Sequence, residues 1–258
     1  MRLTIASVVL LPFAWARCRD EYRALSPKDF AAVAVSGIFL GGHFASWILS
    51  LSLTNVISSV VLVSFGPLFV AVASAIFLKE RITGGVWLGM LIAIAGGIVI
   101  GLADAGSSTT SVGRSPLIGN ALALTGALCL APYLIIGRAL RAKLSLLAYI
   151  TLVYGAAAVS LLVILFITRT PLTVGDPSAW MWIALLAAVP QLMGHTAFNW
   201  AVRRMPAAFA TVPVLGEPIG SSILAVLLLG ETIKPFTLVG AALALVGIVI
   251  MSRKPNGE

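Results

Sequence analysis

The chain has 258 residues, of which 60% are hydrophobic and only 10% charged, with a mean hydropathy of +1.07. A water-soluble domain carries about 25% charged residues, so this composition excludes a soluble fold and reads as a polytopic membrane protein. The formal net charge of +8 sits in short loops between apolar segments without interleaved aromatics, which argues against a nucleic-acid partner.

A helix needs roughly 20 apolar residues to cross a bilayer. In chain order the expected spans are 2–17, 30–52, 57–78, 84–103, 117–140, 144–168, 179–201, 207–229 and 236–252. The clear interruptions are 104–116, rich in Gly and Ser, and 169–178. Cys18 falls in a loop and Cys129 deep in a span, so no disulfide framework is expected. Trp180 and Trp182 open a span, as interfacial anchors do.

Lys and Arg set the orientation. Thirteen lie on the side of the loop after the first span, from Arg17 to Lys254, against four on the other: Arg2, Arg114, Arg169 and Lys234. The thirteen-residue side is expected to be cytoplasmic, with the C-terminus inside. A cleavable signal peptide ending at Ala14-Trp15-Ala16 would invert every later loop, and that reading is set aside.

Residues 64–80 (SFGPLFVAVASAIFLKE) and 215–231 (LGEPIGSSILAVLLLGE) repeat at an offset of 151. The register pairs Pro67 with Pro218, Glu80 with Glu231, Gly89 with Gly240, Ala93 with Ala244 and Gly96 with Gly247. Internal duplication of apolar helices is characteristic of secondary transporters, with the substrate site between the copies. The second copy begins at 117–140, whose counterpart would precede Met1. The expected fold is therefore an all-α integral membrane protein with an inverted five-plus-five helix repeat. Nine of its spans are present and the first helix of the first copy is missing. The expected division is 1–103 (first repeat), 104–116 (linker), 117–252 (second repeat) and 253–258 (cytoplasmic tail). Lys79-Glu80-Arg81 keeps its acid but loses its basic residues in Gly230-Glu231-Thr232, as antiparallel halves require.

With Pro67 ahead of FLKERIT (77–83), and GEPIGSSILAVLLLGETI (216–233) ahead of LVGAALALVGIVI (238–250), the chain resembles the EamA-type family of the drug/metabolite transporter superfamily. That resemblance implies a ten-helix inner-membrane carrier, with both termini cytoplasmic, that moves amino-acid-like or drug-like metabolites, with export the expected direction. It implies no cofactor and no enzymatic reaction, and it fixes mechanism class rather than cargo.

Glu217 lies about ten residues into its span, where a charged carboxylate costs a few kcal/mol. It reads either as a proton or cation site or as a neutral acid bonded to backbone freed by the Pro218 kink. His43 and His195, each preceded by Gly and 152 apart, read as proton-exchange groups or as interhelical hydrogen-bonding residues. Gln191, His195 and Asn199 share one helical face, as do His43, Trp47 and Ser50. With Thr125, Cys129 and Tyr133 these faces are the expected cavity wall, or else a packing surface. Pro67 and Pro218 are expected kinks, and Glu80 and Glu231 structural helix-end acids. Gly89, Gly96, Gly240 and Gly247, spaced seven apart, read as close helix contacts.

No Walker-type phosphate loop occurs, so the leading expectation is a secondary carrier working by alternating access, with proton coupling through Glu217. Two rival readings use the same sequence. One is a non-transporting remnant lacking a cavity helix. The other is an intramembrane metalloenzyme built on His43, His195 and Glu217, whose placement on three separate helices offers no ligand-pair spacing.

Overall fold

The computed structural model describes residues 1–77, 79, 82–105, 115–173, 175–197, 199–200, 207–230 and 232–252. Glu80, Glu231, most of the 104–116 linker and the 253–258 tail lie outside the described residues. Every described secondary-structure element is helical: α1 (Arg2–Arg17), α2 (Arg19–Arg23), α3 (Pro27–Leu51), α4 (Val56–Val63), α5 (Gly66–Phe77), α6 (Gly84–Ala105), α7 (Pro116–Leu140) and α8 (Leu146–Ile167). They continue with α9 (Ser178–Leu186), a π-helix (Ala187–His195), α10 (Ala207–Leu229) and α11 (Pro235–Ser252).

These helices fall on the expected segments, and among the described residues five stretches are long and apolar enough to cross a membrane: Pro27–Leu51, Val56–Phe77, Gly84–Asp104, Pro116–Leu140 and Leu146–Ile167. Their outward-facing side chains, such as Leu88, Leu91 and Ile98 on α6 and Val163 on α8, are large, apolar and exposed, as a lipid-facing surface demands. Local sequence sets the helix starts. Asn55 Oδ1 accepts from Ser58 N–H at 2.6 Å to cap α4, and Ser145 Oγ accepts from Ala148 N–H at 3.3 Å to cap α8.

The expected span 57–78 is interrupted. Ser64 Oγ donates back to the Val60 carbonyl at 2.7 Å, sharing it with the Ser64 N–H at 3.1 Å, and α5 restarts at Gly66. Pro67 therefore stands in the first turn of α5, where its missing N–H has no helical partner to lose. In the other copy, α10 runs unbroken through Pro213 and Pro218.

The chain divides into two compact units: Met1–Gly42 with Pro132–Met205, and His43–Ala131 with Pro206–Glu258. Each unit is built on a pair of repeat-equivalent helices. In the first, α1 packs on α8, which the 151-residue offset places as its counterpart, and also on α9 and the π-helix. In the second, α6 packs on its counterpart α11, and α10 lies on α4.

The α6–α11 contact is reciprocal. A Cβ built on Gly89 would stand 2.5 Å from the Gly247 carbonyl oxygen, and one on Gly247 would stand 2.5 Å from that of Gly89. Gly96 and Gly240 oppose each other in the same way, at 2.5 and 2.8 Å, and Ala93 and Ala244 are fully buried between them. As residue number rises along α6 it falls along α11, so the pair is antiparallel. Residue i meets j′ while j meets i′, the mark of a two-fold contact. A duplicated helix can meet its copy this way only if the two copies run in opposite directions. Small residues supply the contact because helices in lipid associate through close backbone packing.

Candidate functional site

The first unit holds a polar interior that a hydrocarbon-facing bundle keeps only for a reason. Tyr133 on α7 and Asn199 are both buried, and the Asn199 amide lies 3.1–3.3 Å from the Tyr133 hydroxyl. Asn199 Nδ2 also donates to the His195 carbonyl at 2.8 Å, and Arg141 Nη1 donates to the Asn199 carbonyl. Tyr149 and Tyr154 on α8 are buried in the same unit. Ser36 on α3 donates to the Tyr133 carbonyl at 3.4 Å. Two of the expected wall residues, Tyr133 and Asn199, are thus brought together as an interhelical hydrogen bond.

Gln191 follows Pro190 in the π-helix. Proline has no N–H and its ring crowds the carbonyl four residues back, and a wider turn relieves that crowding. Thr196 Oγ1, five residues on from Gln191, points to its carbonyl at 3.5 Å. The Gln191 side chain is 0% exposed. His195 ends the π-helix and is half-buried.

In the second unit His43 is buried, and its Nδ1 lies 2.9 Å from the Gly126 carbonyl. A carbonyl only accepts, so Nδ1 carries the proton. The imidazole packs beside Phe44 and Trp47, with ring centroids at 4.9 and 6.1 Å. A Cβ on Gly126 would come within 3.4 Å of Trp47, so this face of α3 packs directly on α7. Ser50 bonds to Ser59 Oγ at 2.5 Å and to the Trp47 carbonyl at 2.6 Å, and Thr125 bonds back to the Ala121 carbonyl at 2.8 Å. Cys129 is half-buried, and both cysteines are free.

Glu217 stands on α10 with its side chain exposed, beside buried Pro218. Ser221 Oγ donates to the Glu217 carbonyl at 2.6 Å and Ser222 Oγ to the Pro218 carbonyl at 2.5 Å. These hydroxyls bond back one turn to the carbonyls of the Glu-Pro pair itself. Among the described residues, no group of three or more His, Cys, Asp or Glu is placed to hold a metal ion.

Sequence reasoning missed a second polar cluster. Asp104, 2% exposed in the last turn of α6, accepts from Asn120 Nδ2 at 2.8 Å and from Asn55 Nδ2 at 3.2 Å. Thr54 Oγ1 donates to Asn120 Oδ1 at 2.9 Å, and a Cβ on Gly119 would meet the Thr54 backbone at 2.8 Å. The network ties the α3–α4 turn to the end of α6 and the start of α7. The available signal was electrostatic. An acid in the last turn of a helix faces the negative end of the dipole and needs compensating donors.

Apolar spanning helices, an antiparallel pair of duplicated helices and buried polar faces define a multi-pass membrane protein of the transporter class. The sequence profile of the EamA-like transporter family matches residues 1–102 and 117–253, so the chain belongs to that family. Over 231 residues it is 26% identical to the uncharacterized transporter YyaM of Bacillus subtilis, covering 87% of this chain and 72% of that protein. It is 29% identical to an uncharacterized transporter of Archaeoglobus fulgidus, covering 88% and 79% of the two chains. A protein of Streptantibioticus cattleyicolor named as a probable terminal-alkyne amino-acid exporter is 26% identical, over 76% of this chain and 64% of its own. A crystal structure 20% identical in sequence matches the fold with a TM-score of 0.65, covering 96% of this chain and 84% of that one.

Proposed function

We propose that the chain is an inner-membrane exporter of small amino-acid-like metabolites, with its C-terminus cytoplasmic. It works by alternating access, is driven by protons through Glu217 and performs no chemistry on its solute. The observation that carries this reading is the reciprocal α6–α11 contact, because inverted duplicated helices are the architecture on which carriers rock. Similarity to a named amino-acid exporter supports the cargo class and the direction, and the thirteen-to-four bias of basic residues supports the orientation. Glu217 is the acid placed within an apolar helix whose neighbouring carbonyls are already satisfied by Ser221 and Ser222. His43, bonded to the Gly126 carbonyl and packed beside two aromatic rings, is better suited to packing than to proton exchange.

The test is solute flux in vesicles under an imposed pH gradient, with wild type beside Glu217→Gln. Expected is loss of gradient-driven accumulation in the variant, with solute exchange at zero gradient retained. An unchanged response to the gradient rejects Glu217 as the coupling site. In cells, overexpression is expected to raise resistance to toxic amino-acid analogues, and sensitisation would reverse the direction to uptake.

A further inference from the structure

The Tyr154 hydroxyl and the amide of Gln191 are polar groups left over from every network described above. Both residues are 0% exposed. The hydroxyl faces the polar ends of Gln191, Thr196 and Asn199, yet neither it nor either amide atom of Gln191 closes to hydrogen-bond geometry with a protein group. Three buried, unmatched polar atoms at one place are costly if nothing meets them.

The site lies where the chain widens. Pro190 lacks the N–H that a normal turn would use, and the π-helix Ala187–His195 presents Gln191 toward α8 with an enlarged turn around it. The groups that face the hydroxyl, Gln191, Thr196 and Asn199, are all neutral. The nearest cation in this network, Arg141, is bonded to the Asn199 carbonyl, eight residues along the helix from Gln191. An ion placed here would lack the counter-charge that burial demands. The amide offers both a donor and an acceptor, and the hydroxyl can act as either.

We infer that Gln191 and Tyr154 form a binding subsite for one small neutral group that both donates and accepts hydrogen bonds. Two sources supply that chemistry, an internal water and a hydroxyl or carboxamide borne by the solute. Only the second rests on the carrier reading above.

The experiment uses the full chain purified in detergent, as wild type, Tyr154→Phe, Gln191→Met and the double variant. Tyr154→Phe removes a single oxygen atom and keeps the packing, so it tests the subsite even if Gln191→Met misfolds. With a bound group, each single change lowers the thermal midpoint by roughly 3 °C or more, and the double variant falls short of the sum. An empty site gives the opposite sign, because deleting an unmatched polar atom leaves the midpoint unchanged or raises it, and that result overturns the inference. Equilibrium binding of L-glutamine, L-serine and L-leucine then separates the sources. If both variants weaken L-glutamine or L-serine by tenfold or more and spare L-leucine, the solute fills the subsite. If the midpoint falls while all three affinities stay unchanged, or wild type binds none of the three, the group is water. A failure of transport leaves the midpoint result standing.

Discussion

Asp104 and Gln191 are buried to nearly the same degree in helices that face lipid, and the chain treats them in opposite ways. Around Asp104 three side chains turn inward: Asn55 and Asn120 donate to it, and the Thr54 hydroxyl lies 3.4 Å from it and 2.9 Å from Asn120 Oδ1. Around Gln191 the neighbours come close and stop short. The first arrangement is a staple, in which a polar group costly to bury has been matched by the protein alone. The second is a receptacle, in which the match has been left to something else. Burial by itself does not separate structure from function in this protein; completeness of hydrogen bonding does.

The sharpest way to break that contrast is Asp104→Ala. It strands two amide donors in a buried site and unties the ends of α6 and α7 from the α3–α4 turn. The expected loss is about 3 kcal/mol or more, read as a thermal midpoint lowered by roughly 10 °C. Asp104→Asn keeps one acceptor and should recover about half of that. A silent Asp104→Ala would mean that the network is no staple.

Next in size are the glycines of the α6–α11 seam, matched by direct packing rather than by polar partners. Gly96 and Gly247 are repeat equivalents, and a Cβ on either would stand 2.4 Å from a backbone nitrogen, that of Ala244 or Ala93. Gly96→Ala and Gly247→Ala should each cost about 2 kcal/mol, as overpacking does. Their equality is the more telling result, because it measures the two-fold character of the contact. Midpoints that differ by much more than the measurement error would show that the two copies have ceased to be equivalent there.

Much of this arrangement was legible in the sequence, and the division has physical causes. Helix positions could be read because long apolar runs have one outcome in lipid. The glycine seam could be read because Gly at seven-residue spacing repeats at the same offset as the prolines. Tyr133 and Asn199 were marked by polarity on an apolar face, although the face alone could not say that they would bond each other. The break at Ser64–Phe65 was hidden because Pro67 is compatible with both a kink and a first turn. The π-helix followed from no composition signal beyond Pro190. Tyr154, with an apolar body, passed as one more span residue, and Asp104 looked like the start of a polar linker. Asp104 acts through partners distant in the chain, Asn55 and Asn120, and long-range partners are what a single sequence hides.

The smallest expected effect comes from repeating the Asp104 chemistry in water. Asp176, in the loop before α9, also accepts two hydrogen bonds, from Ser178 N–H at 2.9 Å and from Ser178 Oγ at 2.8 Å. Those bonds hold its carboxyl below the usual carboxylate range. A carboxyl depressed in the folded state stabilises fully at pH values above its unfolded pKa near 4. That contribution fades only as pH falls through the lower folded value. Asp176 is fully exposed, however, and water offers the unfolded chain nearly equivalent bonds. Asp176→Ala should therefore leave the midpoint at pH 7 within measurement error. It should also remove a slight loss of stability expected of wild type as pH falls below about 4. Asp104→Ala, deleting the same group from a dry site, should be severe at pH 7. If the two substitutions proved equal, burial would not be what gives the Asp104 network its strength, and the contrast with Gln191 would lose its basis.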